Sequence, residues 1–372
     1  MAARPRYARR MTTLVDRAIA LHPVLAGQRP HHDAHRQLAP AVVDALRAGG
    51  MLTALVPREL GGHELAPRDY VLMLEALARG DSATAWVVMT ASTSTLLAAY
   101  LPRPTAARLW ATGPPAPLLA GIFAPTGQLT VEDGAARLTG RWSWASGSRH
   151  ADWFVVGALD GRRHQVCFVP PAAVQVVDNW DPIGLAGTGS HDLVIEGAVL
   201  PTDQITSVFD RAPWTDAPLY RVPMFGLLAL GIAGCGLGIA RAALAQVEST
   251  LTPDAPSTTW ATYADLRARL GAARAYVLAT ADAALEAATA GVVPGPVRGE
   301  LRLAACHAAA TSAEVARAAF HLGGGASVRA GSAASNALRD LETVLTHRMV
   351  ADRVRPAAAR AALAIGTTPP DL

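Results

Sequence analysis

The strongest constraint on this chain is that its hydrophobic period changes twice along the sequence. Residues 1–117 place apolar side chains at helical spacing, and residues 118–208 carry short alternating or β-branched runs cut by Gly, Asp and Pro. Residues 209–372 then return to long Ala/Leu-rich stretches. A period of 3.6 must bury a stripe against other helices, and a period of 2 must bury one face of a sheet. The expected fold class is therefore α+β: an N-terminal helical domain, a small central antiparallel β domain and a C-terminal four-helix bundle.

Local punctuation sharpens this. Pro40 to Gly50 reads as a helix with Pro at its start and Gly at its end. Arg68–Arg79 is amphipathic, while Ala83–Tyr100 is apolar enough to lie inside. Strands are expected at Gln128–Val131, Ala136–Leu138, Trp153–Gly157, Gln165–Val169, Val174–Val177 and Asp192–Ile195, and breaks between bundle helices at Thr252–Thr259 and Val292–Val297. A crevice where the three zones meet suits a flat cofactor.

Several function classes fall away on composition. Lys and Arg number 33 against 30 Asp and Glu, and the cations are scattered, so nucleic acid is not an expected partner. Cys167, Cys235 and Cys306 show neither a paired framework nor metal-ligand spacing, which fits a reducing cytoplasm without structural zinc. The first residues read as a basic leader running into a helix, not as a signal peptide. Pro223–Ala240 is uncharged and at the lower length limit for a membrane span, but its repeated glycines fit a buried bundle helix better. His31, His32, Asp33 and His35 read as a solvated run rather than a metal site, and Asp69, Glu75, Arg79 and Asp81 as helix-surface charges.

Five segments carry more specific information. They are Leu55-Val-Pro-Arg-Glu-Leu-Gly-Gly62, Gly121-Ile-Phe-Ala-Pro-Thr-Gly127, Gly140-Arg-Trp-Ser-Trp-Ala-Ser-Gly147 with His150–Trp153, Gly184-Leu-Ala-Gly-Thr-Gly-Ser-His-Asp192 and Leu338-Arg-Asp-Leu-Glu-Thr-Val-Leu-Thr-His347. In this order they resemble the acyl-CoA dehydrogenase superfamily over roughly residues 35–360, and the last resembles its two-component flavin-dependent monooxygenase branch. The dehydrogenases need a carboxylate base, whereas the region around Met224-Phe225-Gly226 is apolar and the second base position carries His347. Two other readings stand beside the monooxygenase: an acyl-CoA dehydrogenase-type oxidoreductase and a non-catalytic flavin-fold binding protein.

The resemblance implies a site. Ser146 would hydrogen-bond flavin N5 and help a C4a-hydroperoxyflavin persist, and His347 would act as a base on the substrate or hold the peroxide's charge state. Asp340 and His347, seven apart, would share one helix face. Phe123, Ala124, Thr126, Ala145, Gly187, Thr188 and Ser190 would contact the cofactor, and Trp144 would either wall the ring or fill core. Gly323 and Gly324 belong to a turn that approaches a neighbouring subunit's cofactor or merely caps a helix. Met89, Thr93, Met224 and Phe225 are placed on the substrate side.

The loop Thr252–Tyr263 has no Arg or Lys before Arg267 to pair with a pyrophosphate, so reduced FMN is preferred and FAD is the alternative. The implied partners are O2, a separate flavin reductase and a small organic substrate, aromatic or natural-product in kind. A homotetramer, a dimer of dimers, is expected from the Gly234–Gly238 helix face.

Overall fold

The computed structural model describes residues 13–112, 116–132, 134–329 and 331–372. Most of the basic start of the chain thus lies outside the described residues. The N-terminal zone comprises α1 (Leu14–Ala20), α2 (His22–Leu25), α3 (Arg29–His35), α4 (Pro40–Gly49), α5 (Pro67–Gly80), α6 (Ser82–Thr95) and α7 (Arg103–Thr112). Helix α4 has Pro40 in its first turn and ends at Gly50, whose φ of 78° is left-handed, as its punctuation implied. Asp81 caps α6 by accepting from the Thr84 amide at 2.8 Å.

The sheet holds β1 (Leu119–Glu132), β2 (Ala135–Ala145), β3 (Trp153–Asp160), β4 (Arg163–Val169), β5 (Gln175–Val177), β6 (His191–Pro201) and β7 (Ile205–Thr206). Their order is β5-β6-β2-β1-β3-β4-β7. The sheet is not wholly antiparallel, because β1 and β3 pair in parallel. The reason is topological. Two successive chain reversals, β1 to β2 and β2 to β3, leave β3 running with β1, and β6 already occupies the other edge of β2. Beyond Ile122 the β1·β3 register slips, so the residues between Ile122 and Gly127 bulge away from β3. Gly157 makes room for this bulge: a Cβ there would stand 2.4 Å from the Phe123 carbonyl oxygen.

Helices α8 (Met224–Glu248), α9 (Ser257–Thr289), α10 (Gly295–Leu322) and α12 (Ala333–Leu345) form the bundle, with α11 (Gly324–Ser327) and α13 (Arg355–Ala362) attached. Helix α8 is long and apolar enough to cross a membrane, yet 89% of its most apolar stretch is buried inside the fold. Its glycines explain how. A Cβ at Gly238 would lie 2.4 Å from the Glu75 carbonyl oxygen, and one at Gly234 would lie 2.9 Å from that of Val71. These glycines are therefore spent on α5 of the same chain, which removes the Gly234–Gly238 face as the argument for a tetramer. One continuous core joins the N-terminal helices to the bundle, and a second lies within the sheet around Trp142 and Phe154.

Helix α3 also differs from expectation. His32 is fully buried and its Nδ1 lies 3.2 Å from the Asp81 carboxylate, so neither residue is a surface group. Asp33 pairs with Arg29 at 2.8 Å, and the His31 and His35 rings stack at 4.1 Å. The run is a packed helix rather than a solvated tail, because α3 closes over Gly187, where a Cβ would stand 2.5 Å from that of His32. Among the described residues no group of three potential ligands could hold a metal ion.

Candidate active site

Two turns at the ends of strands meet beside α6. The Gly147 amide donates to the Thr188 carbonyl at 2.7 Å, and the Ser148 hydroxyl donates to the Gly189 carbonyl at 2.8 Å. This locks the Ala145–Ser148 segment to the Leu185–Ser190 turn, where Leu185 and Gly189 both adopt positive φ. Gly121 allows the close approach of α6 to β1, since a Cβ there would lie 2.1 Å from the Ser94 hydroxyl oxygen. Trp86 on α6 thereby reaches the strand ends.

These contacts create a directed chain of hydrogen bonds. The Trp86 Nε1–H donates to the Ser146 hydroxyl at 3.2 Å. The hydroxyls of Ser146 and Ser190 lie 2.8 Å apart, and those of Ser190 and Thr188 lie 2.7 Å apart. Thr188 donates to the Leu185 carbonyl at 2.8 Å, which can only accept. That end fixes every proton: Ser190 donates to Thr188, and Ser146 donates to Ser190. Ser146 is left with one lone pair and no proton to give, so any further partner must be a donor.

Trp144 stands next to this serine. It is 72% exposed and has a φ of 73°, in the left-handed region that a tryptophan rarely adopts. It does not fill core. The strain is fixed by the short turn in which the Ser146 amide donates to the Trp144 carbonyl at 3.1 Å, where β2 leaves register with β6. An indole held open at a conformational cost is a candidate binding surface. Ala145 is fully buried under it.

His347 does not share a helix face with Asp340. Helix α12 ends at Leu345 with Thr346 as its cap, so His347 lies in the following turn. Its ring meets that of Trp86 edge-on, with centroids 5.7 Å apart. Burial, with the nearby guanidinium groups of Arg302, Arg348 and Arg353, pushes its pKa down to about 4. The imidazole is therefore neutral across the ordinary working range and does not titrate near pH 7.

Asp340 is a clasp. Its buried carboxylate accepts from Arg29 at 2.6 and 3.0 Å, from the Ser82 hydroxyl at 2.5 Å and from the Leu185 amide at 2.7 Å. It ties α3, α6 and the Leu185–Ser190 turn to the bundle. Asp340 and His347 thus touch α6 one turn apart, at Ser82 and Trp86.

The remaining expected residues divide. Phe123, Ala124 and Thr126 sit in the β1 bulge, with the Thr126 hydroxyl donating to the Arg141 carbonyl at 3.0 Å. The Phe123, Phe225 and Phe209 rings form an aromatic wall, with centroids 6.4 and 6.0 Å apart. Met224 is buried beside Phe225. Met89 and Thr93 differ from expectation: both are fully buried, Met89 fills the space left by Gly231, and the Thr93 hydroxyl bonds the Met89 and Thr90 carbonyls of its own helix. They offer no surface to a ligand. Gly187 is covered by His32, as described above. Gly324 has a φ of 54° and lies exposed, with nothing within 4 Å of an added Cβ, while Gly323 caps α10 against Ser327.

Sequence reasoning passed over Trp86, although it is the sole aromatic residue in the small-residue helix α6. It also passed over Arg302, which left no local signal in the sequence.

A sheet with a bulged central strand and an open indole, beside a helical bundle, is the arrangement expected of an acyl-CoA dehydrogenase-like flavoprotein. Comparison with known proteins agrees. Residues 19–102 match the acyl-CoA dehydrogenase N-terminal domain and residues 230–352 the C-terminal domain. The chain is 34% identical over 338 residues to an indole-3-acetate monooxygenase from Pseudomonas putida, covering 86% of each. Among solved structures it superposes on XiaF from Streptomyces sp., solved with FADH2 and glycerol, with a TM-score of 0.89 at 24% identity over 96% of this chain and 97% of that one. It also superposes on 3-HSA hydroxylase from Rhodococcus sp. RHA1, with a TM-score of 0.90 at 22% identity over 97% and 99%. This chain belongs to the acyl-CoA dehydrogenase superfamily, and within it to the flavin-dependent monooxygenases.

Proposed function

We propose that the protein is the oxygenase component of a two-component system. A separate reductase supplies reduced flavin, and the protein uses it with O2 to hydroxylate a small aromatic compound of about the size of an indole. The observation that carries this reading is the one-way hydrogen-bond chain ending at Ser146. Reduced flavin bears a proton at N5 and oxidised flavin does not, so a serine that can only accept favours the reduced form. Bound there, reduced flavin supplies the electrons that activate O2.

The chain's own residues have separable tasks. Trp144 gives the ring a flat apolar wall. The bulge at Phe123, Ala124 and Thr126 offers main-chain groups to the ring edge. Neutral His347 accepts from the Met349 amide at Nδ1, 3.2 Å away, so its Nε2 carries the proton and donates a hydrogen bond toward the substrate or the oxygen being transferred, and the Phe123–Phe225–Phe209 wall excludes water. No carboxylate occupies the Met224–Phe225 region, which argues against the dehydrogenase reading.

Reduced FMN is the proposed flavin and FAD the alternative, because the Thr252–Tyr263 loop carries no Arg or Lys to pair with a pyrophosphate. A homotetramer is retained on the exposed Gly323–Gly325 turn, which is open to a second copy.

Anaerobic calorimetry tests the reading. The wild-type protein should bind reduced flavin at least about tenfold more tightly than oxidised flavin, a difference of about 1.4 kcal/mol. Ser146→Ala should remove most of that difference and raise peroxide released per product formed. Equal affinity for the two redox states in the wild type would reject the role of Ser146. Reduced FAD binding tenfold more tightly than reduced FMN would reject the flavin preference.

A further inference from the structure

The first two turns of α10 carry a face matched to a length of extended chain. Gly295, Arg298, Gly299 and Arg302 are spaced i, i+3, i+4 and i+7, so they line one side of the helix. The glycines permit close approach. A Cβ at Gly299 would stand 2.6 Å from the Ala358 carbonyl oxygen of α13, and one at Gly295 would stand 2.3 Å from the Thr368 hydroxyl oxygen. The arginines supply donors. Arg298 Nη2 donates to the Pro369 and Pro370 carbonyls at 2.9 Å each, and Arg302 Nη2 donates to the Asp371 carbonyl at 2.9 Å, with the Leu372 oxygen at 3.5 Å. Two successive prolines have no N–H to pair, so their carbonyls are left to side-chain donors. Leu372 fastens the segment: it is 3% exposed and packs with Ala358 and Ala361.

This segment reaches the site at two points. Arg302 also donates to the carbonyl of Phe225, in the first turn of α8, at 3.3 Å, and the Phe225 ring belongs to the aromatic wall. The Asp371 carboxylate pairs at 3.0 Å with Arg348, the residue after His347. The His347 turn is itself closed by the Val350 and Ala351 amides, which both donate to the His347 carbonyl at 3.1 Å. Asp371 therefore joins the two sides, through its main chain to Arg302 behind Phe225 and through its side chain to Arg348 beside His347.

We propose that Thr368–Leu372 is a strap that positions the reacting groups, holding Phe225 and His347 at a fixed separation with Asp371 as its knot. Arg302, Arg348 and Asp371 are positioning residues that act through Phe225 and His347. What that separation serves rests on the monooxygenase reading above. With the strap peeled away, the start of α8 and the His347 turn move independently and water reaches the imidazole.

Two substitutions test this in the full chain. Leu372→Gly removes the apolar fastening, carries no charge change and lies outside the site, with Leu372→Met as the conservative control. Asp371→Asn cuts the pair with Arg348 and keeps the main-chain carbonyls. In the flavin-free protein, hydrogen exchange at the Val350 and Ala351 amides should be about tenfold faster in Leu372→Gly and Asp371→Asn, while the middle of α9 keeps its wild-type rates. Burial and the charges of Arg302, Arg348 and Arg353 keep His347 neutral down to about pH 4. Followed by NMR, its midpoint should rise by about one pH unit in both variants as water enters. The sign is diagnostic for Asp371→Asn, because loss of a negative charge alone would lower the midpoint. Leu372→Met should match the wild type. With reduced flavin and indole as the probe, product formed per O2 should fall about threefold or more, and reduced-flavin affinity should stay within about twofold.

A His347 midpoint or a Val350–Ala351 exchange rate that does not move, whatever happens to Tm, would make the segment a stability element only and overturn the proposal. Faster exchange throughout α9, or loss of reduced-flavin affinity together with coupling, overturns it as well. If His347 responds as expected but the wild type consumes no oxygen with reduced flavin, the monooxygenase reading falls and the strap stands. If oxygen use is normal and His347 does not respond, only the strap falls.

Discussion

Asp340→Asn separates the structural work of the Arg29–Asp340 pair from the chemistry of His347. The substitution keeps the shape and removes the charge, and it exchanges one acceptor oxygen for an NH2 group. Each carboxylate oxygen serves two donors: one takes Arg29 Nη1 and Ser82, the other Arg29 Nη2 and Leu185. Whichever way the amide turns, two contacts lose their acceptor oxygen, and only the Ser82 hydroxyl can turn to accept from the new NH2 group. Removing one partner of a buried ion pair costs about 3–5 kcal/mol. The Arg29 side chain is 20% exposed and keeps Asp33 at 2.8 Å, which places the expected loss at the lower end, about 3 kcal/mol.

Urea unfolding followed by tryptophan fluorescence and by circular dichroism measures that loss, provided the slope is unchanged. A thermal scan should show a fall in Tm of roughly 4 °C, since about 2.1 cal/mol/K per residue over 372 residues gives an unfolding entropy of about 0.8 kcal/mol/K. The Leu185–Ser190 turn should loosen with the clasp, so more oxygen should be lost as peroxide while the His347 geometry stays intact. The double substitution Arg29→Met with Asp340→Leu should recover only part of the stability, because it removes both charges together but leaves the Leu185 amide and the Ser82 hydroxyl without their acceptor. A loss below about 0.5 kcal/mol for Asp340→Asn would show that the four contacts do not hold the turn and refute the clasp.

Three further outcomes follow from named contacts. The folded pKa of His347 is depressed to about 4 from 6.5, so the unfolded chain binds the proton first. Stability is then fully present above pH 6.5 and declines as pH falls toward 4; His347→Gln should flatten that decline in urea midpoints, and an unchanged pH profile would count against the shift. Trp144→Gly should release left-handed strain and stabilise the flavin-free protein by about 1 kcal/mol, yet weaken reduced flavin by about tenfold; loss of both, or of neither, contradicts the open-wall role. Gly238→Ala should destabilise by about 1–3 kcal/mol, since its methyl would meet the Glu75 carbonyl at 2.4 Å, and a neutral result in urea would mean that α5 and α8 separate without penalty.

The sequence by itself determined the three zones, most of their elements and the flavoprotein kinship. Those properties rest on local periodicity and on turn residues, as with Pro40 and Gly50 around α4 or the glycines between Gly184 and Gly189. It also brought Ser146, Trp144 and Phe123–Thr126 forward as candidate site residues, because short motifs report the turns that present them. What it missed depends on which distant segments meet. Asp81 and His32 look like surface polar groups until α3 closes over the turn at Gly187 and buries them as a pair. Asp340 and His347 look like helix partners until the helix ends between them and sends one to Arg29 and the other to Trp86. The parallel β1·β3 pairing follows from two reversals and an occupied edge, which no single strand encodes. The direction of the Ser146 hydrogen bonds is set by a carbonyl at Leu185, in a different turn of the chain, and the burial of Arg302 by residues about 70 positions away. Periodicity reports which face of an element is apolar, but partner choice and protonation are set by the atoms brought against that face, and only the tertiary structure supplies them.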